Sequence, residues 1–333
     1  MSALFDLFPE LASRAPRASL ADLPTRVERA VGLPGRTDIW LKRDDCSSPI
    51  YGGTKLRLLE HLLGAARASG AARVYSSGAV GSNFAEANAL HAPRVGLAPG
   101  AICFPQPLTA EGERSQRVVQ ARAHVIEIAH WSLLPLAAER LRRSDATAQV
   151  LSQVSFSADS LFGYVAAGLE LALQVAGGLC PLPERVVLPI GSAATSAGLL
   201  AGLSLARRLG YVRGPLTVCS VRIAAWPLSR RGRVLSLATA TLAWLAELTG
   251  DARLALSRGE LLPLELVTDQ LGAGYPHATA GSLAARALFA EAGYPILDDT
   301  YSAKAAAHVL ASAPGKGPVL LWCTKSSAPR AEG

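Results

Sequence analysis

A lysine that follows two glycines and opens an apolar-periodic run is the first place in this chain where chemistry comes within reach: Tyr51-Gly52-Gly53-Thr54-Lys55-Leu56-Arg57. Paired glycines let a backbone approach a ligand closely or turn through positive φ. Leu56, Leu59, Leu62, Leu63 and Ala66 then fall at helical spacing. Lys55 is therefore expected at a loop–helix junction, where its amine can form a Schiff base with an aldehyde cofactor. Taken alone, the pattern reads better as a surface lysine in a first helical turn. Its weight comes from companions elsewhere in the chain.

Gly191-Ser192-Ala193-Ala194-Thr195-Ser196-Ala197-Gly198 sits between a strand at Val186-Val187-Leu188 and a helix expected from Leu199 to Leu209. Small residues there expose backbone N–H groups at a helix N-terminus, and the hydroxyls add donors, which makes a phosphate cradle. No Gly-Lys-Ser/Thr follows, so it is not a Walker A loop. A small-residue turn for tight helix–sheet packing accounts for the same residues. Ser82-Asn83 occupy another strand-to-helix turn, where Asn83 could bond a phenolic oxygen and Ser82 a carboxylate, or Ser82 could simply cap the helix. Tyr301-Ser302 precede a helix at Ala305, and Tyr301 and Tyr275 are each candidates for acid, base or polariser, or for half-buried tyrosines with wet hydroxyls.

The elements that must hold these residues alternate. Strands are expected at 38–42, Val74–Ser77, Ala101–Phe104, His124–Ile128, Val186–Pro189, Leu216–Val221 and Val319–Trp322, and helices after Lys55 and over Phe84–Leu90, Gln116–Ala121, Trp131–Arg143, Ala158–Val175, Leu235–Leu248, Gly281–Ala292 and Ala305–Leu310. That alternation predicts βαβ units, hence two α/β domains with mainly parallel sheets and a cleft between them. Residues 1–37 are rich in Pro and Arg with little periodicity, and no internal repeat or linker is visible.

Composition narrows the class. The 333 residues are half apolar, enough for well-buried cores. The formal charge of +7 arrives without basic–aromatic interleaving, so it reads as solvated surface with some attraction for anions, not as a nucleic-acid interface. Five scattered cysteines, none in CxxC spacing, indicate reduced thiols in a cytoplasmic protein and no zinc site. The histidines share no ligand spacing, so no metal is expected; His61, His91 and His308 read as packing or surface residues. Asp44-Asp45 beside Lys42-Arg43 suggest local ion pairs. The uncharged run between Arg185 and Arg207 is long enough to span a bilayer, but Pro189, Gly191 and Gly198 divide it into strand, loop and helix.

Taken in order, Gly-Gly before Lys55, Ser82-Asn83, the loop at 191–198 and Asp298-Asp299-Thr300-Tyr301-Ser302-Ala303-Lys304 resemble the D-cysteine desulfhydrase and 1-aminocyclopropane-1-carboxylate (ACC) deaminase family. These are pyridoxal 5′-phosphate (PLP) enzymes of fold type II, like the tryptophan synthase β chain. The likeness runs from Trp40-Leu41-Lys42-Arg43-Asp44-Asp45 to Val319–Thr324. It implies a large PLP-binding domain of residues 1–57 and 166–333, a small domain of 58–165, and the active site in the cleft between them. It implies further that Lys55 carries PLP, Asn83 contacts the ring O3′ and Ser82 the substrate carboxylate. Gly191, Ser192, Ala193, Ala194 and Thr195 would bind the phosphate, Tyr301 and Tyr275 would be the active-site tyrosines, and Ser302 would face the pyridine nitrogen. A homodimer follows by the same analogy.

The ACC deaminases carry an acid where this chain has Ser302. A neutral hydroxyl cannot hold a pyridinium by charge, so the resemblance points to a D-cysteine desulfhydrase-like lyase. Such an enzyme would perform α,β-elimination on a small amino acid and release ammonia and a 2-oxo acid. β-Replacement, racemisation, or a non-catalytic fold holding a phosphorylated ligand are the alternatives. The chain departs from the family pattern at Phe84, Ala193-Ala194, Ala280, Ala303 and Thr324-Lys325-Ser326. Alanine can lend its N–H to a phosphate where φ is negative, so negative φ is expected across Ala193-Ala194.

Overall fold

The computed structural model describes residues 2–328 apart from 152–157, 225–227, 276, 295–296, 314 and 316. Its strands are β1 (Val27–Arg29), β2 (Ile39–Lys42), β3 (Arg73–Ala79), β4 (Ala98–Phe104), β5 (His124–Glu127), β6 (Ala148–Leu151), β7 (Arg185–Ile190), β8 (Thr217–Arg222), β9 (Leu264–Val267) and β10 (Val319–Trp322). The helices are α1 (Ala3–Leu7), α2 (Thr54–Ala68), α3 (Asn83–His91), α4 (Ala110–Arg122), α5 (Leu134–Ser144), α6 (Phe162–Ala176), α7 (Ala194–Arg208), α8 (Arg231–Thr249), α9 (Ala280–Glu291) and α10 (Ser302–Ala311).

Two sheets form, a six-stranded one ordered β1-β2-β10-β7-β8-β9 and a four-stranded one ordered β5-β4-β3-β6. Every pairing is parallel except β1 with β2. This is the α/β architecture with two mainly parallel sheets that the alternation predicts. All four strands of the smaller sheet come from residues 73–151. The 57/58 and 165/166 boundaries fall inside α2 and α6.

The central strands β7 and β10 are buried along almost their whole length, as parallel strands covered on both faces must be. The helices α6 and α7 pack so closely that a Cβ on Gly198 would lie 2.2 Å from Tyr164 Cβ, and one on Gly202 2.2 Å from the Val165 carbonyl oxygen. The run from Arg185 to Arg207 is β7 followed by α7, and no helix among the described residues is long and apolar enough to cross a membrane.

Several expectations need correction. Helix α7 begins at Ala194, five residues before Leu199, so Ala194 and Thr195 belong to its first turn. Strands β1, β6 and β9 and the short helix α1 were not legible in the sequence, and the N-terminal stretch contributes Leu4 and Leu11 to the core, both fully buried. Of the two roles expected for His61, His91 and His308, packing or surface, all three take packing, since all are buried. Only part of the charged quartet pairs locally: Arg43 bonds Asp45 at 2.9 Å, whereas Lys42 turns to Glu170 and Asp44 to Arg57.

Candidate active site

Lys55 lies in the first turn of α2, and the turn before it is fixed by backbone. Gly53 has φ +100°, and a Cβ there would fall 2.6 Å from the Thr324 carbonyl oxygen. A Cβ on Gly52 would fall 2.5 Å from the Asp45 carbonyl oxygen. The close approach that the paired glycines allow is therefore made to the chain itself. Thr54 N–H donates to Thr324 O at 2.9 Å, and Gly52 N–H to Ser326 Oγ at 2.9 Å.

Two residues beyond Lys55, Arg57 bolts the same turn into the large core. Its guanidinium reaches Asp44 Oδ1 at 2.7 Å and Glu170 Oε1 at 3.0 Å. Lys42 joins Glu170 from the other side and also donates to Gln174 Oε1 at 2.8 Å. Two cations and two anions thus balance out of water. Burial alone would raise the Glu170 carboxyl, but the charges of Arg57 and Lys42 outweigh it and hold it at about 2.

Lys55 itself takes no part in that network. Among the described residues no hydrogen bond or ion pair engages its amine, and burial alone pulls its pKa down from 10.5 to about 8. Its side chain lines a cavity of about 920 Å³. Ser82, Asn83, Gly191, Ser192, Ala193, Thr195, Tyr275 and Tyr301 line the same cavity. The structure therefore brings together most of the residues singled out from sequence. Among the described residues, Lys55 and Lys325 are the charged side chains on its wall, so no acid competes for an anion there.

Another part of the same wall is the N-terminus of α7. Its first N–H groups have no intrahelical partners, and its first turn holds no acidic residue. Ala193 caps it at φ +73° and ψ −15°, the left-handed region. This corrects the expected negative φ: the loop takes the shape a glycine would take, and an alanine bears the strain. Among the described residues Ala193 is the one non-glycine residue with positive φ. Ser196 Oγ accepts from Ser220 Oγ at 2.9 Å, which ties the first turn to β8.

Ser82 caps α3, accepting from Phe84 N–H at 3.3 Å. Asn83 Oδ1 accepts from the Tyr51 hydroxyl at 3.4 Å, and Tyr51 is held in turn by His91, whose Nε2–H donates to the Tyr51 carbonyl at 2.8 Å. Tyr275 and Tyr301 share a hydroxyl–hydroxyl bond of 3.0 Å, and burial pushes the pKa of each upward, Tyr301 strongly. Both phenols therefore stay protonated.

Two of the sequence-derived residues lie off the wall. Ala194 is buried behind Ala193, and Ser302, 2% exposed, has its Oγ 3.3 Å from Thr324 Oγ1. Thr324 stands on the wall in front of it. Thr324, Lys325 and Tyr51 are among the wall residues that motif reading missed as site residues. The signal was their placement: Thr324 and Lys325 follow the carboxyl end of a buried central strand, where α/β sheets place ligands. Lys325 Nζ bonds Glu111 Oε1 on α4 at 2.7 Å and so joins the two layers at the cavity.

Residues 18–324 match the family model of pyridoxal-phosphate dependent enzymes. The chain belongs to this family. It is a PLP-dependent enzyme, and the fold type II assignment stands. It is 34% identical to a nocardicin C-9′ epimerase of Nocardia uniformis subsp. tsuyamanensis, over 94% of this chain and 93% of that one. It is 30% identical to a D-cysteine desulfhydrase of Salmonella choleraesuis, over 90% of this chain and 88% of that one. A solved ACC deaminase homologue superposes with a TM-score of 0.74 at 24% identity, covering 96% of this chain and 94% of that structure.

The residues present fit the cofactor. Among the described residues, an unpartnered amine with lowered pKa shares a cavity with a helix N-terminus whose cap leaves its N–H groups open, and no acid stands on the wall. No group of three or more His, Cys, Asp or Glu among the described residues is placed to hold a metal ion.

Proposed function

We propose that the chain is a lyase that removes the α-proton of an amino acid and expels its β-substituent. The observation that carries this reading is Lys55: an amine whose pKa burial lowers to about 8, without a partner among the described residues, in a cavity shared with a helix N-terminus. Lys55 would hold PLP through its amine. The N–H groups at the start of α7, with Gly191, Ser192 and Thr195, would hold the phosphate. Asn83 would bond the ring oxygen. Bound PLP supplies a sink for the electron pair left at Cα.

The protein's own residues carry the rest of the proposed reaction. Ser82 and the N-terminus of α3 bind the substrate carboxylate and set the Cα–H bond toward Lys55. The Lys55 amine, displaced by the substrate amine, takes that proton. The electron pair of the broken Cα–H bond forms the Cα–Cβ double bond, and the Cβ–substituent bond breaks with its pair. The Tyr275–Tyr301 pair, whose phenols stay protonated, stands ready to protonate the leaving group. The 2-aminoacrylate product takes up water to give ammonia and a 2-oxo acid. Ser302 acts through Thr324, and both are uncharged. With no acid on the wall among the described residues, nothing there holds a ring nitrogen protonated by charge, which favours expulsion of a good leaving group over harder bond cleavages.

One observation favours a second reading, inversion at Cα: the similarity over 94% of this chain to a protein named as an epimerase. There the same proton removal by Lys55 ends in return of a proton to the opposite face. Support for a homodimer rests on family analogy. Support for a cytoplasmic setting rests on five free cysteines, of which only Cys46 is exposed.

The test is an absorbance spectrum with PLP before and after borohydride, for wild type and Lys55→Ala, followed by D- and L-amino acids assayed for 2-oxo acid and for the opposite enantiomer. A visible band fixed by borohydride in the wild type alone, with 2-oxo acid formed, supports the lyase. Enantiomer without 2-oxo acid replaces elimination by inversion. A band unaltered by Lys55→Ala sinks both.

A further inference from the structure

The cavity is larger than its chemistry requires. At a generous 30 Å³ or so for each non-hydrogen atom, PLP and a three-carbon amino acid, about 22 such atoms, occupy no more than about 700 Å³. The cavity holds about 920 Å³. The cleft therefore leaves room for a further group beyond a three-carbon substrate.

Much of the cavity wall away from the polar loops is apolar. Phe104 at the end of β4, Trp131 just before α5, Leu134 and Pro135 at its start, and Ile223 and Leu228 beyond β8 line the cavity, with the neutral Gln106 and Ser132 among them. Trp131 is 61% exposed although it borders a ligand cavity, and Leu228 is 36% exposed. A large aromatic surface left wet at the rim of a binding site is contact area for a ligand. The two charged wall residues are accounted for at the polar end, Lys55 by the cofactor and Lys325 by Glu111. Among the described residues the apolar arm offers no acid, arginine or histidine to a charged side chain.

We propose that the substrate is an amino acid with a long, neutral side chain ending in an aromatic or bulky apolar group, which lies along this arm against Trp131. The small substrate expected from the motifs would fill only the inner part of the cavity. The proposal rests on the α-deprotonation reading above and holds for elimination and inversion alike, because both begin with the same amino acid at Lys55. Continuity of the arm with the Lys55 wall argues for the substrate's side chain as its occupant.

The test is binding without turnover. The PLP-loaded enzyme is titrated with α-methylphenylalanine and with 2-methylserine, which have no α-proton to lose, and binding is followed by the absorbance change of the bound cofactor. We expect α-methylphenylalanine to bind at least tenfold more tightly, and Trp131→Ala to collapse that ratio below threefold. The exposure of Trp131 makes the variant safe for the core, and circular dichroism and the cofactor band check it. Equal or tighter binding of 2-methylserine, or a ratio unchanged in Trp131→Ala, overturns the proposal. A ratio unchanged while Trp131→Ala splits an oligomer in sedimentation overturns it in favour of a second copy of the chain on this face. If neither compound perturbs the cofactor spectrum, the amino-acid reading of the Lys55 site fails first, and the proposal with it.

Discussion

The lowered pKa of Lys55 can be tested on the apoprotein by pH and by Lys55→Met. An amine titrating at about 8 instead of 10.5 is neutral about 300 times more often at pH 7, which corresponds to roughly 3 kcal/mol at about 1.4 kcal/mol per pH unit. The cause is desolvation with no compensating partner, so the charged form is penalised in the folded state only. That penalty is present in full below pH 8, is relieved as pH rises from 8 toward 10.5, and is absent above. Through this group the apoprotein should gain stability between pH 7 and 10. Lys55→Met should be more stable than wild type at pH 7 by up to about 3 kcal/mol, less what water in the cavity returns to the ammonium. At about 2 cal/mol/K per residue, that is a rise in melting temperature of up to about 4 °C. The advantage should vanish near pH 10. Scanning calorimetry of both apoproteins across this range measures it. The rate of PLP capture by wild type, measured alongside, should level off above pH 8. A Lys55→Met protein no more stable than wild type at pH 7, with capture still accelerating tenfold per unit beyond pH 9.5, would refute the reasoning.

The remaining predictions concern what holds the site and what works in it. Arg57→Ala leaves Asp44 and Glu170 buried with only Lys42 between them, and should cost about 3–5 kcal/mol in urea unfolding at pH 7. Because the Glu170 carboxyl is held down from 4.5 to about 2, its contribution is complete above about pH 4.5 and is lost as pH falls through 2, so Glu170→Gln should flatten that part of the acid-unfolding curve. Ala193→Gly releases a left-handed alanine, worth about 1–2 kcal/mol, against about 0.4–1 kcal/mol of added chain entropy, so a net gain of about 0.5–1 kcal/mol should appear in thermal unfolding with PLP affinity retained. Tyr301→Phe should keep the cofactor band and lower kcat by about 10²-fold or more; a loss of the band with unchanged kcat per bound cofactor would assign the hydroxyl to binding.

What could be read from the chain was what is decided locally. The Ser82 cap and most of the helices carry their reasons within a few residues. The start of α7 was misplaced because residues 194–198, small or hydroxylated and ending in glycine, look like a loop in sequence. In the fold they are helical, and glycine there lets α6 and α7 touch backbone to side chain. Strands β1, β6 and β9 have three or four residues each, too few to show a period, and exist because a neighbouring strand supplies the ladder. The Arg57–Glu170 pair could not be read either, since 113 positions separate residues whose types only say that each needs a partner.

The paired glycines show the same limit from the other side. Their presence before a lysine marked the site, yet the reason for them lies about 270 positions downstream. Gly53 turns through positive φ beside the Thr324 carbonyl and bridges Lys325 backbone to backbone, so 52–55 and 324–326 form one structural unit. Within that unit Thr324 and Lys325 reach the cavity wall, and Lys325 carries the contact on to Glu111 in the other layer. A substitution at Lys325 therefore acts on the lysine turn and on the junction of the two layers together, although in sequence it reads as a departure in a loop near the chain's end.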